Sequence, residues 1–183
     1  MKKIFVLNGV GTSGKGCFAE FIGKYISTHK YSIVDLPKEA AKVLGWNGGK
    51  TERDRKFLSD VMDLSSDYND APFKDVTSIV ADFKNNKIEA DVLIIDMRDP
   101  IDIARAVETF GAETILIRNP RVGEIITNHA DANVEDYMYN YIINNDGTLE
   151  QLETVAKIFV RDVICWSEVP VRKMPLTLTC SNY

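Results

Sequence analysis

Asn8-Gly9-Val10-Gly11-Thr12-Ser13-Gly14-Lys15-Gly16-Cys17 follows an apolar run, Ile4-Phe5-Val6-Leu7, and leads directly into a helical pattern. Gly9 to Lys15 fits G-x-x-x-x-G-K, the core of a phosphate-binding loop. In such a loop the glycines let the backbone turn sharply and bring several N–H groups onto one anion. The positive end of the following helix points to the same place, and Lys15 adds a full charge. Gly9, Gly11, Thr12, Ser13, Gly14, Lys15, Gly16 and Cys17 are therefore the candidate contacts of a nucleoside triphosphate. Most loops of this kind carry Ser or Thr where this one has Gly16, and that hydroxyl binds Mg²⁺. The same glycines, Gly9, Gly11 and Gly14, also read as G-x-G-x-x-G, a dinucleotide fingerprint, with Asp35 at roughly the spacing of a ribose-binding acid. Lys15 favours a polyphosphate over NAD, and the NAD reading stays open as the alternative.

Around this stretch lies a chain of ordinary globular composition. Its 183 residues, 45% hydrophobic and 27% charged, suit one domain with a proper core, or a core carrying a small insertion. A net charge of −5 gives no basic footprint for a nucleic-acid partner. Cys17, Cys165 and Cys180 are far apart and fit no disulfide framework or CxxC metal spacing, which points to a reducing, cytoplasmic setting. The apolar run after Met1-Lys2-Lys3 is too short for a signal peptide or a membrane span, so no membrane partner is expected.

Apolar runs and helical periodicities alternate along the rest of the chain. Strands are expected over 3–7, 31–36, 91–96, 113–117 and 137–143, and helices over 14–28, 37–44, 51–64, 72–85, 100–110 and 148–160. The segment Leu176-Thr177-Leu178-Thr179 alternates as an edge strand would. This order calls for an α/β fold of three layers, α/β/α, around a five-stranded parallel sheet. Ligands then sit at the carboxyl ends of the strands, on the edge where the phosphate loop lies.

Several chemically apt residues fall on that edge. Asp35 and Asp96 are expected to end the second and third strands, Arg98 lies two residues beyond Asp96, and Arg118 and Arg121 follow the fourth strand. Phosphoryl transfer asks little covalent chemistry of a protein; it needs a metal, cations around the moving group, and an aligned pair of substrates. Asp96 suits Mg²⁺, which carboxylates hold through its waters as readily as directly. Arg98, Arg118 and Arg121 suit phosphate oxygens, which the guanidinium fork matches. Arg55, on a charged helix, is the candidate grip on the phosphate of a second substrate, with Asp35 as a further acceptor-side residue.

With the loop, Asp96-Met97-Arg98 and Asn145-Asp146-Gly147 in this order, the chain resembles the P-loop nucleoside monophosphate kinases, among them the deoxynucleoside monophosphate kinase-like and adenylate kinase-like proteins. The resemblance implies a P-loop kinase fold in a single domain over 1–183, with a helical acceptor-binding region at about 37–86 and a short lid at about 119–136. Gly14-Lys15-Gly16 is similar to the Gly-Lys-Gly of adenylate kinases, with Cys17 where those carry Thr. By this likeness Lys15, Arg98 and Arg121 would be catalytic and Asp96 would hold Mg²⁺ through water. Arg118 would pack on the adenine of ATP, and Asn145, Asp146 and Gly147 would line its pocket. The small-molecule acceptor would be a nucleoside monophosphate.

Overall fold

The computed structural model describes residues 2–122, 134–165 and 175–182. They form two compact units, one from Tyr31–Ile88 and one from the chain up to Lys30 together with the chain from Glu89 onward.

The larger unit is built on the apolar runs. Strand β1, Lys3–Asn8, is flanked by β3, Val92–Asp96, and β4, Glu113–Arg118, and both pairings are parallel. β5, Tyr141–Asn144, and β6, Leu176–Thr179, extend the sheet in parallel beyond β4. With β2, Thr28–Ser32, beside β3, the order is β2-β3-β1-β4-β5-β6. The sheet therefore has six strands rather than five, because the alternating Leu176–Thr179 segment pairs in full with β5 from Tyr141↔Leu176 to Asn144↔Thr179.

Successive side chains of a strand face opposite sides, so a strand apolar throughout needs cover on both. Phe5, Leu7, Ile94, Ile115, Ile117 and Ile143 share one core with helices α1, Lys15–Gly23, and α6, Leu149–Phe159. Phe159 is its hub, with edge-on ring contacts to Phe5 at 5.5 Å, Phe18 at 5.7 Å and Tyr141 at 5.1 Å. The alternate residues Ile4, Val6, Leu93, Ile95 and Leu116 are equally buried, on the side where α5, Pro100–Phe110, packs against β1 and β4. The result is a three-layer α/β/α architecture.

The helices start where capping chemistry places them. α5, Pro100–Phe110, opens on Asp99, whose carboxylate accepts from Ile101 N–H at 2.7 Å, with Pro100 as its first residue. α6, Leu149–Phe159, opens on a reciprocal Thr148–Gln151 capping box and continues into a wider helical turn over Val160–Cys165. α1, Lys15–Gly23, is shorter than its periodicity suggests, since β2 already begins at Thr28.

The smaller unit holds α2, Asp35–Val43, α3, Glu52–Asn69, and α4, Ala71–Lys84. Asp35 does not end a strand, as its sequence context suggests. β2 stops at Ser32, and the Asp35 carboxylate accepts from Ser32 N–H at 2.9 Å, which folds the chain back and opens α2. α3 runs on to Asn69 because the polar stretch from Ser65 contains no Gly or Pro, and polar side chains on a helix face do not break it. Among the described residues, no helix is long and apolar enough to cross a membrane.

Candidate phosphate-binding site

β1 delivers its last residue, Asn8, to the carboxyl edge of the sheet, between the ends of β3 and β4. The loop that follows is shaped by two glycines. Gly9 sits at φ +150°, and a Cβ there would lie 2.5 Å from the Ile117 carbonyl oxygen and 2.7 Å from Ser13 Oγ. Gly14 sits at φ +104°, and a Cβ there would collide with Asn145 Nδ2. Both are conformations that L side chains rarely adopt. Gly11 and Gly16 differ, since a Cβ at either would meet nothing within 4 Å. Packing does not require glycine at those two positions; it leaves room beside the backbone there.

Gly14 is also the N-cap of α1 and has no side chain to cap it. A helix leaves its first N–H groups without intrahelical acceptors, so the first turn of α1 presents donors and the positive end of its dipole at the loop. Lys15, the first residue of α1, is 8% exposed, and its ammonium donates to Gly9 O at 2.5 Å and Val10 O at 3.0 Å. The positive charge is thereby fixed inside the loop rather than trailing into solvent. Ser13 is fully buried; its N–H donates to Val10 O at 3.2 Å, and its Oγ has no hydrogen-bond partner among the described residues. Such a buried hydroxyl costs about 1–3 kcal/mol, which a water or ligand oxygen would offset.

Asp96 ends β3 opposite Leu7, two residues before the loop begins, and its Oδ1 is buried. Among the described residues, no cluster of three or more His, Cys, Asp or Glu could hold a metal ion by itself. The Asp96 carboxylate at the end of β3 suits Mg²⁺ held by a single carboxylate together with water and phosphate oxygens. Arg98 stands two residues on, with its backbone carbonyl accepting from Asn8 Nδ2 at 3.2 Å. Cys17 is a half-buried free thiol packed against the core of the larger unit.

The residues after β4 and β5 are brought together, though with partners that the sequence does not announce. Asn145 N–H donates to Arg118 O at 2.7 Å, and its Nδ2 donates to Ser13 O at 2.9 Å, tying the Asn145-Asp146-Gly147 turn to the phosphate loop. The Arg121 guanidinium donates to the carbonyls of that same turn, to Gly147 O at 3.0 Å and to Asp146 O. Arg121 therefore braces the turn that the resemblance assigns to the base pocket. Arg118 forms a two-pronged ion pair with Glu135, whose carboxylate holds the guanidinium still more firmly in its charged form. Much of the lid expected at about 119–136 falls on residues 123–133, outside the described residues.

Asp146 carries a second tie. Its carboxylate accepts from Ser181 N–H at 2.9 Å and Ser181 Oγ at 2.7 Å, and these two bonds hold its pKa below the usual carboxylate value. A depressed pKa stabilises the fold above the unfolded-state value of about 4, and the contribution is lost as the pH falls through the folded value. Asp146→Asn should therefore lower the melting temperature at neutral pH, with the two melting curves converging on acidification below about pH 4. A constant offset across a titration from neutral to acid would show that the Asp146 charge plays no part.

The acceptor-side candidates lie in the smaller unit and are described within it. Asp35 pairs with Lys38 Nζ at 2.9 Å besides accepting from Ser32. Arg55 is in the first turn of α3, its Nε donating to Lys50 O at 3.2 Å. The fingerprint that would make the loop a dinucleotide site is not met. In that fold the strand bearing the ribose acid is β2, lying beside β1, whereas here β3 and β4 flank β1 and Asp35 belongs to a helix.

Asn8, Tyr139, Glu135 and Ser181 were not among the residues singled out from the sequence. Only Asn8 carries a signal in the sequence, as a polar residue closing a strand whose inner residues, Ile4 to Leu7, are all apolar. The other three act through contacts whose partners are remote in sequence.

No known family model matches the chain, and no curated protein matches it by sequence. Among solved structures it is similar to a sugar kinase from Janibacter sp. at 10% identity and a TM-score of 0.49, over 90% of this chain and 98% of that one. It is likewise similar to shikimate kinase from Aquifex aeolicus, at 13% identity and a TM-score of 0.44 over 90% of this chain and 99% of that one. A GTPase from Pyrococcus abyssi matches at 11% identity and a TM-score of 0.46, over 98% and 91% respectively. At these identities and scores the likenesses fix neither substrate nor activity.

Proposed function

We propose that the protein is a P-loop phosphotransferase that moves the γ-phosphoryl group of ATP onto a small acceptor, read from the sequence resemblance as a nucleoside or deoxynucleoside monophosphate. The observation that carries this reading is the loop itself. An uncapped helix N-terminus, two glycines forced by packing and a cation held inside the loop converge at the carboxyl end of the sheet's inner strand.

In this reading the N–H groups around Gly14 to Cys17 hold the β-phosphate, and Lys15 exchanges a loop carbonyl for a β/γ oxygen and follows the charge into the transition state. Asp96 would hold Mg²⁺ through water, and the metal would supply positive charge to the transferring phosphate. Arg98 supplies further positive charge. Asn145 and the Arg121-braced turn position the base, and Arg118 packs on it once released from Glu135. Acceptor recognition is assigned to the smaller unit, with Arg55 as the phosphate grip.

The test is a phosphoryl-transfer screen of ATP and Mg²⁺ against all ribo- and deoxyribonucleoside monophosphates, with product separated from ATP hydrolysis. Transfer to one acceptor or a narrow set is expected. Tight ATP binding without transfer to any acceptor would instead favour a nucleotide-binding regulatory module, the reading that Gly16 and Cys17 motivate. Stabilisation by NAD in preference to ATP would remove both, since the true ligand shifts the melting midpoint as RT ln(1 + [L]/Kd).

A further inference from the structure

Asn8 is fully buried at the end of a strand whose other inner residues are apolar, and both ends of its carboxamide are engaged. Oδ1 accepts from Gly9 N–H at 2.7 Å. Nδ2 donates to Tyr139 Oη at 2.7 Å and to Arg98 O at 3.2 Å. Tyr139, 4% exposed, donates its own hydroxyl proton to Val134 O at 2.8 Å. One buried amide thus joins the first residue of the phosphate loop, the segment just beyond Asp96, and the chain that follows residues 119–133.

The direction of these bonds is not arbitrary. Because the Tyr139 proton is committed to Val134 O, the phenol offers Asn8 only a lone pair and requires the NH₂ end there. The carbonyl end is then left to face Gly9 N–H. A flipped carboxamide would set donor against donor at Gly9 and acceptor against acceptor at Arg98. Burial pushes the Tyr139 phenol up to about 12, so it keeps its proton across the physiological range. A buried polar junction of this kind is costly when half-satisfied and directional when complete.

We infer that Tyr139 is a positioning residue for the phosphate loop: through Asn8 it fixes the Gly9 peptide, and with it the direction in which the later loop amides face a phosphate. The inference rests on the nucleotide reading above. Its structural half concerns the Gly9 amide and is measured without any nucleotide.

The experiment compares wild type, Y139F, N8A and the double variant, as full-length protein, by ¹⁵N–¹H NMR of the Gly9 amide and by calorimetric titration with ATP and Mg²⁺. In Y139F the Gly9 amide should move upfield and exchange faster, and ATP affinity should fall about tenfold, the scale of one buried hydrogen bond. In the N8A background, Y139F should cost nothing further in affinity, because the link it works through is already gone. An unmoved Gly9 amide, or unchanged ATP affinity in Y139F with only a lower melting temperature, would leave Tyr139 a packing residue and overturn the inference. Additive losses in the double variant would overturn it as well. A wild-type protein that binds no ATP while its Gly9 amide responds to Y139F would overturn the nucleotide reading, and the role toward nucleotide with it. If Y139F does not fold, N8S, which withdraws the donor that reaches Tyr139, should give the same loss, and undiminished affinity there would equally overturn the inference.

Discussion

Lys15→Ala is expected to lower phosphoryl transfer by about a thousandfold, on the order of 4 kcal/mol of transition-state stabilisation. The ammonium already lies within the loop, against Gly9 O and Val10 O, so in the proposed reaction it would reach a β/γ oxygen without recruiting a side chain from solvent. Preorganisation of this kind lets a charge act fully as negative charge moves during transfer. The substitution also withdraws two donors from loop carbonyls, a secondary cost of about 1–3 kcal/mol in stability that must be separated from the kinetic effect. Thermal unfolding of the variant alongside steady-state kinetics does so: a folded protein with collapsed kcat is the expected result. Lys15→Arg should not restore activity, because a planar fork does not replace a compact ammonium in a closed loop. Turnover by Lys15→Ala close to the wild-type rate would remove the loop from the mechanism.

Gly9→Ala should destabilise the protein by about 3 kcal/mol, combining a backbone conformation unsuited to L residues with a collision. The atom met first is the Ile117 carbonyl oxygen at 2.5 Å, which belongs to β4 and cannot swing aside as a side-chain end would. Gly11→Ala is the matched control. Gly11 lies outside the left-handed region and a Cβ there meets nothing within 4 Å, so stability should hold within about 0.5 kcal/mol, as for a surface change. Urea unfolding of the pair measures the contrast. Equal midpoints for Gly9→Ala and wild type would mean that the loop does not pack on β4 as described.

The layers of the fold were legible in sequence because buried strands of a parallel sheet are uninterrupted apolar runs. Val92–Asp96 and Glu113–Arg118 fall within a residue of where their hydrophobicity places them. Capping residues were as informative: Asp99-Pro100 and the Thr148–Gln151 pair fix the starts of α5 and α6. Asp35 went the other way because a carboxylate after an apolar stretch reads equally as a strand end or as the start of a helix. Only its bond to Ser32 N–H decides between them. The phosphate loop was legible because its chemistry is local, with glycine, lysine and helix within one short segment. The bracing of the Asn145–Gly147 turn by Arg121, and the Asn8–Tyr139 junction, depend on partners far along the chain. No periodicity or spacing encodes such pairs.

The pairing of β1 also sets constraints on how the chain acquires its structure. Lys3 pairs with Val92, and Phe5 with Glu113, so the strand that carries the phosphate loop is synthesised before β3 and β4 and can enter the sheet only after they exist. Tyr31–Ile88, by contrast, is continuous, and its helices contact their sequence neighbours. Contacts of such long sequence separation make assembly slow, because loop closure must precede any gain from them. During that interval Ile4-Phe5-Val6-Leu7 is an exposed apolar segment of high strand propensity, of the kind that associates with other chains. The strand that gives the site its rigidity in the finished protein is thus the segment most in need of protection while the protein is being made.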